Sequence, residues 1–309
     1  MILRVRMITG VAIISFSAIF VRLADVSPVT AAFFRTAYAL PILFALRAVM
    51  RTSQVRTRKQ RLLAFGAGIA FAGDLVAWHI AIELIGAGLS TVVGSIHVVT
   101  TMIAGWILLS QKPTRLAVLA TPVVLIGVVL IAGVGSADAQ GKDPILGVAF
   151  GALTAVLYTT FILLLRQAGT MGAAPVESLF DATAGAAVGA LLLAPLDSGF
   201  SLVPTWPAHG WLFLLALGAQ VTGWLLINYT LPHIEAWEAS LLLVLQPGGT
   251  ILWAYLLFGE VFSVSQWLGL VLVIAGVTAV TLARARSNRP APGVQSAGPA
   301  AAVDVSAET

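Results

Sequence analysis

Between Glu83 and Lys112 the chain runs 28 residues without a Lys, Arg, Asp or Glu. About a quarter of the residues of a soluble domain are charged; here the share is 10%, with 59% hydrophobic residues and a mean hydropathy of +0.98. A soluble core built from 309 residues has no room for that much apolar surface. The solvent for this chain is lipid. A hydrocarbon layer about 30 Å thick needs about 20 apolar residues of helix to cross it. Ten such segments can be drawn, at 7–23, 28–49, 62–82, 86–109, 115–134, 145–165, 174–195, 209–230, 236–258 and 264–283. The expected fold is all-α, a polytopic membrane protein of ten transmembrane helices. Arg4 and Arg6 precede the first span as in a signal peptide. No small-x-small cleavage site follows, however, and nine more spans do, so it is read as an uncleaved helix. There is no cysteine, so disulfides and thiolate metal sites are excluded, and no metal or cofactor is expected.

Ten spans put both termini on one side of the membrane. The loops of that side carry fourteen basic residues: Arg4, Arg6, Arg47, Arg51, Arg56, Arg58, Lys59, Arg61, Lys112, Arg115, Arg166, Arg284, Arg286 and Arg289. The opposite loops hold Arg22 and Lys142 alone, and Arg35 lies inside a span. This asymmetry predicts cytoplasmic termini. It also accounts for the net charge of +4 without a nucleic-acid partner. A protein with no cleavable signal fits a bacterial inner membrane. After Arg289 the chain turns to Ala, Pro, Gly and Ser, and 284–309 is expected to be a disordered cytoplasmic tail.

The chain repeats itself at an offset of 149. Thr101 falls on Thr250, Leu108 on Leu257, Leu119 on Leu268, and Gly127-Val128 on Gly276-Val277. At a smaller offset Gly10 falls on Gly147 and, after an insertion, Pro28 on Pro175. This divides the chain into repeats at 1–136 and 137–283. Five helices per repeat is an odd number, so the second repeat must enter the membrane inverted. The turns agree: SQKPTR at 110–115 is basic, whereas its counterpart GEVFSVSQ at 259–266 carries no base. Inverted repeats are typical of secondary transporters, with the substrate near the midplane between the halves.

Three stretches resemble the drug/metabolite transporter superfamily, and specifically its EamA-type members. They are FVRLADVSPVTAAFFRTAYALPILFAL, AIELIGAGLSTVVGSIHVVTTMIAGWILLSQKPT and EASLLLVLQPGGTILWAYLLFGEVFSVSQWLGLVLVIAGV. The chain departs from the family pattern at Ser110-Gln111, where Gly-Glu is usual, as at Gly259-Glu260. It also reads His97-Val98 where the second repeat has Gln246-Pro247. The resemblance implies efflux or exchange of small metabolites such as amino acids.

Charges inside lipid need partners or a watery cavity. Helical rise puts Arg35 and Asp74 about 10 and 12 Å below the same face, which predicts a structural ion pair ahead of two separate functional charges. Gln220, Trp224 and Asn228 follow i, i+4, i+8 spacing and form one stripe on helix 8. The repeat aligns them with Phe71, Leu75 and His79 on helix 3, leaving Asp74 on a different face from His79. At the midplane of helices 4 and 9 the matching polar groups are His97 and Gln246. The expected substrate-binding set is therefore Trp78, His79, His97, Tyr158, Gln220, Trp224, Asn228 and Gln246, with Trp253 as a further aromatic wall. Each polar member also fits the plainer role of hydrogen-bonding helix to helix. Asp181, about 10 Å from the cytoplasmic face, is a candidate proton carrier or a carboxylate reaching water or Arg166; His79 and His97 are the other titratable candidates. GxxxG faces at Gly147–Gly151 and Gly185–Gly189 allow close packing within the fold or in a dimer. No HExxH, Walker A, GxS elbow or selectivity-filter pattern is present, which argues against an enzyme or a channel. A lipid flippase is the remaining alternative, since a lateral opening leaves no mark in sequence.

Overall fold

The computed structural model describes residues 2–50, 56–132, 143–203, 205–259 and 262–287; the side chains of 86–89, 258 and 284–287 lie outside that description. The expected tail starts at 284, but 284–287 continue the last helix, which runs Val264–Ser287; the rest of it, and the stretch around the expected repeat boundary, fall outside the described residues. Ten apolar helical segments follow in order. The first repeat holds α1 (Ile2–Ala24), α2 (Pro28–Met50), α3 (Arg58–Ile85), α4 (Ser90–Leu109) and α5 (Arg115–Ile131). The second holds α6 (Pro144–Thr170), α7 (Pro175–Leu196), α8 (Ala208–His233), α9 (Ala236–Leu257) and α10 (Val264–Ala283). No strand occurs among the described residues, because in lipid a helix is the element that satisfies its own peptide groups.

Polar residues mark the helix starts. Thr57 and Gln60 form a capping box at α3: Gln60 N donates to Thr57 Oγ1 (3.2 Å) and Thr57 N donates to Gln60 Oε1 (2.8 Å). Thr114 caps α5, and Asp143 caps α6 with Pro144 at the first helical position. Between α3 and α4 helical hydrogen bonding is continuous over Arg58–Gly94. Even so, a Cβ on Gly94 would lie 3.9 Å from Trp78 Cδ1. Straight helix would hold residues so spaced about 24 Å apart, so the chain doubles back between them.

Close approach of helices rests on small residues. A Cβ at Gly127 would meet Gly269 O at 2.8 Å, one at Gly269 would meet Gly127 O at 2.5 Å, and one at Gly276 would meet Val124 at 2.7 Å. This seals α5 against α10, two helices equivalent in the repeat. Gly147 and Gly151 receive Ile85 and Val93, while Gly185 and Gly189 receive the α3 backbone at Phe65 and Ile69. Both GxxxG faces are therefore used inside the fold.

The repeat is visible in backbone angles. Ser110 ends α4 at φ 57°, ψ 24°, and Gly259 ends α9 at φ 63°, ψ 24°. The architecture demands a left-handed residue at both places, but the first repeat supplies a serine where the second has glycine. A left-handed conformation costs an L-residue about 1–2 kcal/mol. Ser110→Gly should therefore raise stability by about 1 kcal/mol, and Gly259→Ser should lower it by a similar amount. Thermal unfolding in detergent, followed by circular dichroism, checks both shifts; equal midpoints for all three proteins would remove strain at Ser110 as an explanation.

Candidate functional site

Helices 4 and 9 break at equivalent positions. In α4 the break falls at Ser95-Ile96, with Ser95 at φ −67°, ψ −10°. In α9 it falls at Val244, φ −69°, ψ −8°, and the two residues are related by the same offset of 149. His97 follows the first break and Gln246 the second. Discontinuous helices at matching places in inverted repeats are where transporters of this architecture hold substrate.

Two more helices depart from regular geometry at the same level. Helix α1 breaks at Ser15-Phe16. Its freed groups are taken up by α9, where Thr250 Oγ1 donates to Ser15 O (3.0 Å) and Trp253 Nε1 donates to Ser15 Oγ (2.7 Å). In the other repeat Thr101 and Thr100 of α4 share hydrogen bonds with Thr159 of α6 (2.9 and 2.6 Å). Each broken helix is thus tied to the first helix of the opposite repeat. Helix α8 is π-helical over Ala216–Gly223, a form frequent at functional sites, and this turn carries Gln220.

The buried polar centre follows from these placements. Arg35 Nε donates to Gln220 Oε1 (2.8 Å), and Gln220 Nε2 donates to Thr183 Oγ1 of α7 (3.1 Å). The Arg35 guanidinium also lies over the Phe71 ring at 5.2 Å. Arg35 and Asp74, expected as an ion pair, lie close enough to feel each other's charge but make no direct contact within 4.0 Å among the described residues. Matching depth put the two residues at one height but left their angles around the helices unset. Gln220, from the other repeat, occupies the direction Arg35 takes. Asp74 is 6% exposed, and its backbone carbonyl accepts from Thr154 (3.4 Å).

From Phe71 an aromatic chain leads to the break in α4. Phe71 stacks on Phe161 (4.6 Å), Phe161 meets Trp224 edge-on (4.7 Å) and approaches Tyr158 (6.0 Å), and Tyr158 meets His97 edge-on (4.8 Å). The His97 ring faces backbone carbonyls, with Nδ1 3.2 Å from Gly94 O and Ser240 on the α9 side. Two buried donors here lack a hydrogen-bond partner: Arg35 Nη2 and Trp224 Nε1. Two free donors, with a buried carboxyl group nearby, suit a small molecule that bears both acceptors and donors.

The other expected residues are spread more widely. Trp78 and His79 pack edge-on at 5.1 Å, and His79 Nδ1 donates to Leu75 O (2.7 Å). Trp224 is 1% exposed and belongs to the packed core. Asn228 Nδ2 donates to Pro175 O and Ser178 Oγ (both 2.8 Å), which fastens α8 to the start of α7. Gln246 is half-buried, and its carbonyl accepts from Thr250. Among the described residues no three His, Asp or Glu side chains gather to hold a metal ion.

At the end of the bundle that carries the N-terminus, charged side chains tie the repeats together. Arg4 Nε contacts Glu238 Oε1 at 2.5 Å, joining α1 to α9. Arg56 contacts both Asp181 and Glu177 (3.0 Å to the latter), and Arg47 reaches Glu177 at 2.7 Å. The partner of Asp181 is therefore Arg56, from the α2–α3 connection. Arg166 instead donates from Nε to Ile234 O (2.9 Å). Gln111 Oε1 accepts from Ala236 N (2.8 Å), and Gln60 Nε2 donates to Met171 O (2.6 Å). Composition gives the basic residues of this cluster, but their partners Glu177, Asp181 and Glu238 become visible only once the helix starts are packed.

The sequence profile of the EamA-like transporter family matches residues 5–133 and 145–282, one match per repeat. A solved crystal structure 16% identical to the chain superposes with a TM-score of 0.77, covering 93% of this chain and 99% of its own. That likeness is one of fold. No curated protein matches the sequence significantly.

Removing Arg56 would take from the largely buried Asp181 its ion contact, while Glu177 keeps Arg47; breaking a buried pair costs about 3 kcal/mol at the low end. Arg56→Ala should lower the detergent melting midpoint clearly, and Arg56→Ala combined with Asp181→Asn should recover part of the loss. Additive losses in the double variant would show that Arg56 and Asp181 do not interact.

Proposed function

Because the chain belongs to the EamA-like transporter family, we propose that it is a secondary transporter exporting small metabolites such as amino acids. Substrate binds at the midplane between the repeats, and the halves rock to expose it to each side in turn. The observation that carries this reading is the pairing of matched breaks in α4 and α9 with buried, unpartnered polar atoms on the elements around them. An amino acid fits this centre: its carboxylate accepts from the free Arg35 Nη2, its ammonium group answers Asp74, and Phe71, Tyr158 and Phe161 flank an apolar side chain. Both termini are placed in the cytoplasm, on the strength of the fourteen basic residues of one side. The ion contacts at that end then close the cytoplasmic mouth. Proton coupling is assigned to Asp181, whose protonation would release Arg56 and loosen α3 from α7.

Proteoliposomes loaded with labelled amino acids and other metabolites test the reading by counterflow. Saturable flux of at least one amino acid is expected. Arg35→Ala and Asp74→Asn should each lower flux at sub-saturating substrate at least about tenfold, as loss of one charge-assisted hydrogen bond does. A panel without saturable flux, conversion of a substrate without flux, or full flux through folded Asp74→Asn would overturn the assignment. For coupling, an imposed pH gradient should accelerate flux in the unaltered protein and not in Asp181→Asn. Indifference of the unaltered protein to the gradient would rule coupling out.

A further inference from the structure

The first turn of α3 is flanked by two clefts. One, of about 570 Å³, is lined by Arg56, Arg58, Arg61, Leu62, Phe65 and Asp181. The other, of about 550 Å³, is lined by Arg58, Lys59, Leu62, Leu63 and Leu164. Arg58 and Leu62 form the ridge between them. Both clefts have the same polarity along the helix, with cations at the start of α3 and apolar side chains one turn further into the membrane. Leu62 is 58% exposed, although it lies at the edge of the hydrocarbon layer.

The charge at this place exceeds what the fold uses. Arg47 and Arg56 are engaged by Glu177 and Asp181. Arg58, Lys59 and Arg61 form no ion pair among the described residues. Five cations thus face two carboxylates, an excess of three. Topology alone asks for positive charge on this side but not for its concentration in clefts with apolar floors. Basic pockets between helices at the membrane surface suit anionic headgroups, and leucine and phenylalanine walls suit the first carbons of an acyl chain.

We propose that the clefts flanking the first turn of α3 form a binding site for an anionic phospholipid, its phosphate held by Arg58, Lys59 and Arg61 and its acyl chain laid on Leu62, Phe65 and Leu63. The site is separate from the midplane centre and does not depend on which molecule is transported. A phosphate seated there also lies beside Arg56, where it competes with Asp181 and Glu177 for the guanidinium. Lipid in the cleft would thus loosen the tie between α3 and α7.

Native mass spectrometry of the full chain, titrated with phosphatidylglycerol and with phosphatidylcholine, tests the proposal. Discrete phosphatidylglycerol adducts are expected, with phosphatidylcholine binding much more weakly. The triple variant Arg58→Gln/Lys59→Gln/Arg61→Gln should weaken phosphatidylglycerol binding on the order of 100-fold, from about a factor of five for each charge removed near a surface. All three side chains are exposed, and the single variant Arg61→Gln provides a lighter change should the triple one fold poorly. The pair Lys112→Gln/Arg115→Gln, basic residues of the same side away from the clefts, should leave binding unchanged. Equal loss in that pair would reduce the effect to diffuse surface attraction and overturn the site. Inorganic phosphate or glycerol 3-phosphate displacing phosphatidylglycerol at comparable concentration would identify a free-phosphate site and overturn the lipid assignment. Flux assays on the same variants read the midplane separately, so failure of one proposal leaves the other intact.

Discussion

The hydrogen bond from Arg35 to Gln220 sets the terms for the interior. A guanidinium inside a bilayer must be neutralised or hydrogen-bonded within the protein, since lipid offers it nothing. Arg35 meets that demand across the repeat interface. Gln220 accepts from it while donating to Thr183, and Phe71 lies under its plane. One side chain thereby fixes the relative placement of α2, α3, α7 and α8. The π-helical stretch of α8 belongs to the same solution. A π-turn holds more residues than an α-turn, so it alters the angle at which Gln220 leaves the helix.

The repeat explains why much of this architecture was legible in sequence. Hydropathy gave the spans, because a lipid solvent permits few alternatives to a helix about 20 residues long. Among the described residues nine of them are long enough to cross a membrane, and the tenth, Arg115–Ile131, is a shorter apolar helix. The offset of 149 carried Gly127 onto Gly276 and Ser110 onto Gly259, and the backbone honours both relations. The same offset relates the breaks at Ser95 and Val244. In α9 the sequence carries part of the cause, since Pro247 in the first turn after the break has no N–H to return to Leu243; its equivalent in α4 is Val98, and there the local sequence gives no such signal.

The partner choices of the charged groups were legible only in part. Helical rise placed Arg35 and Asp74 at one depth, yet depth says nothing about rotation around each axis, and Arg35 turned to Gln220. Asp181 lay near a basic end of the bundle by count alone, but several arginines were available; Arg56 takes it because the α2–α3 connection returns beside α7. Periodicity put Gln220, Trp224 and Asn228 on one stripe. All three do face inward, but the stripe spans more than one role: Gln220 serves the centre, Trp224 fills the aromatic core, and Asn228 anchors the start of α7.

A centre that leaves Arg35 Nη2 and Trp224 Nε1 unpartnered is costly, at about 1–3 kcal/mol for each buried group. The fold offsets this elsewhere, through glycine-mediated seams such as α5–α10 and through the charged ties at the end bearing the N-terminus. The two kinds of interaction differ in a way that matters for transport. A glycine seam gains from dispersion over its whole length, whereas each charged tie rests on a few atoms that water can solvate once that end of the bundle opens. Under the proposed rocking, the charged ties are therefore the contacts that exchange. Unpartnered central atoms would bias such a motion, because a ligand that satisfies them lowers the free energy of whichever arrangement brings them closest together.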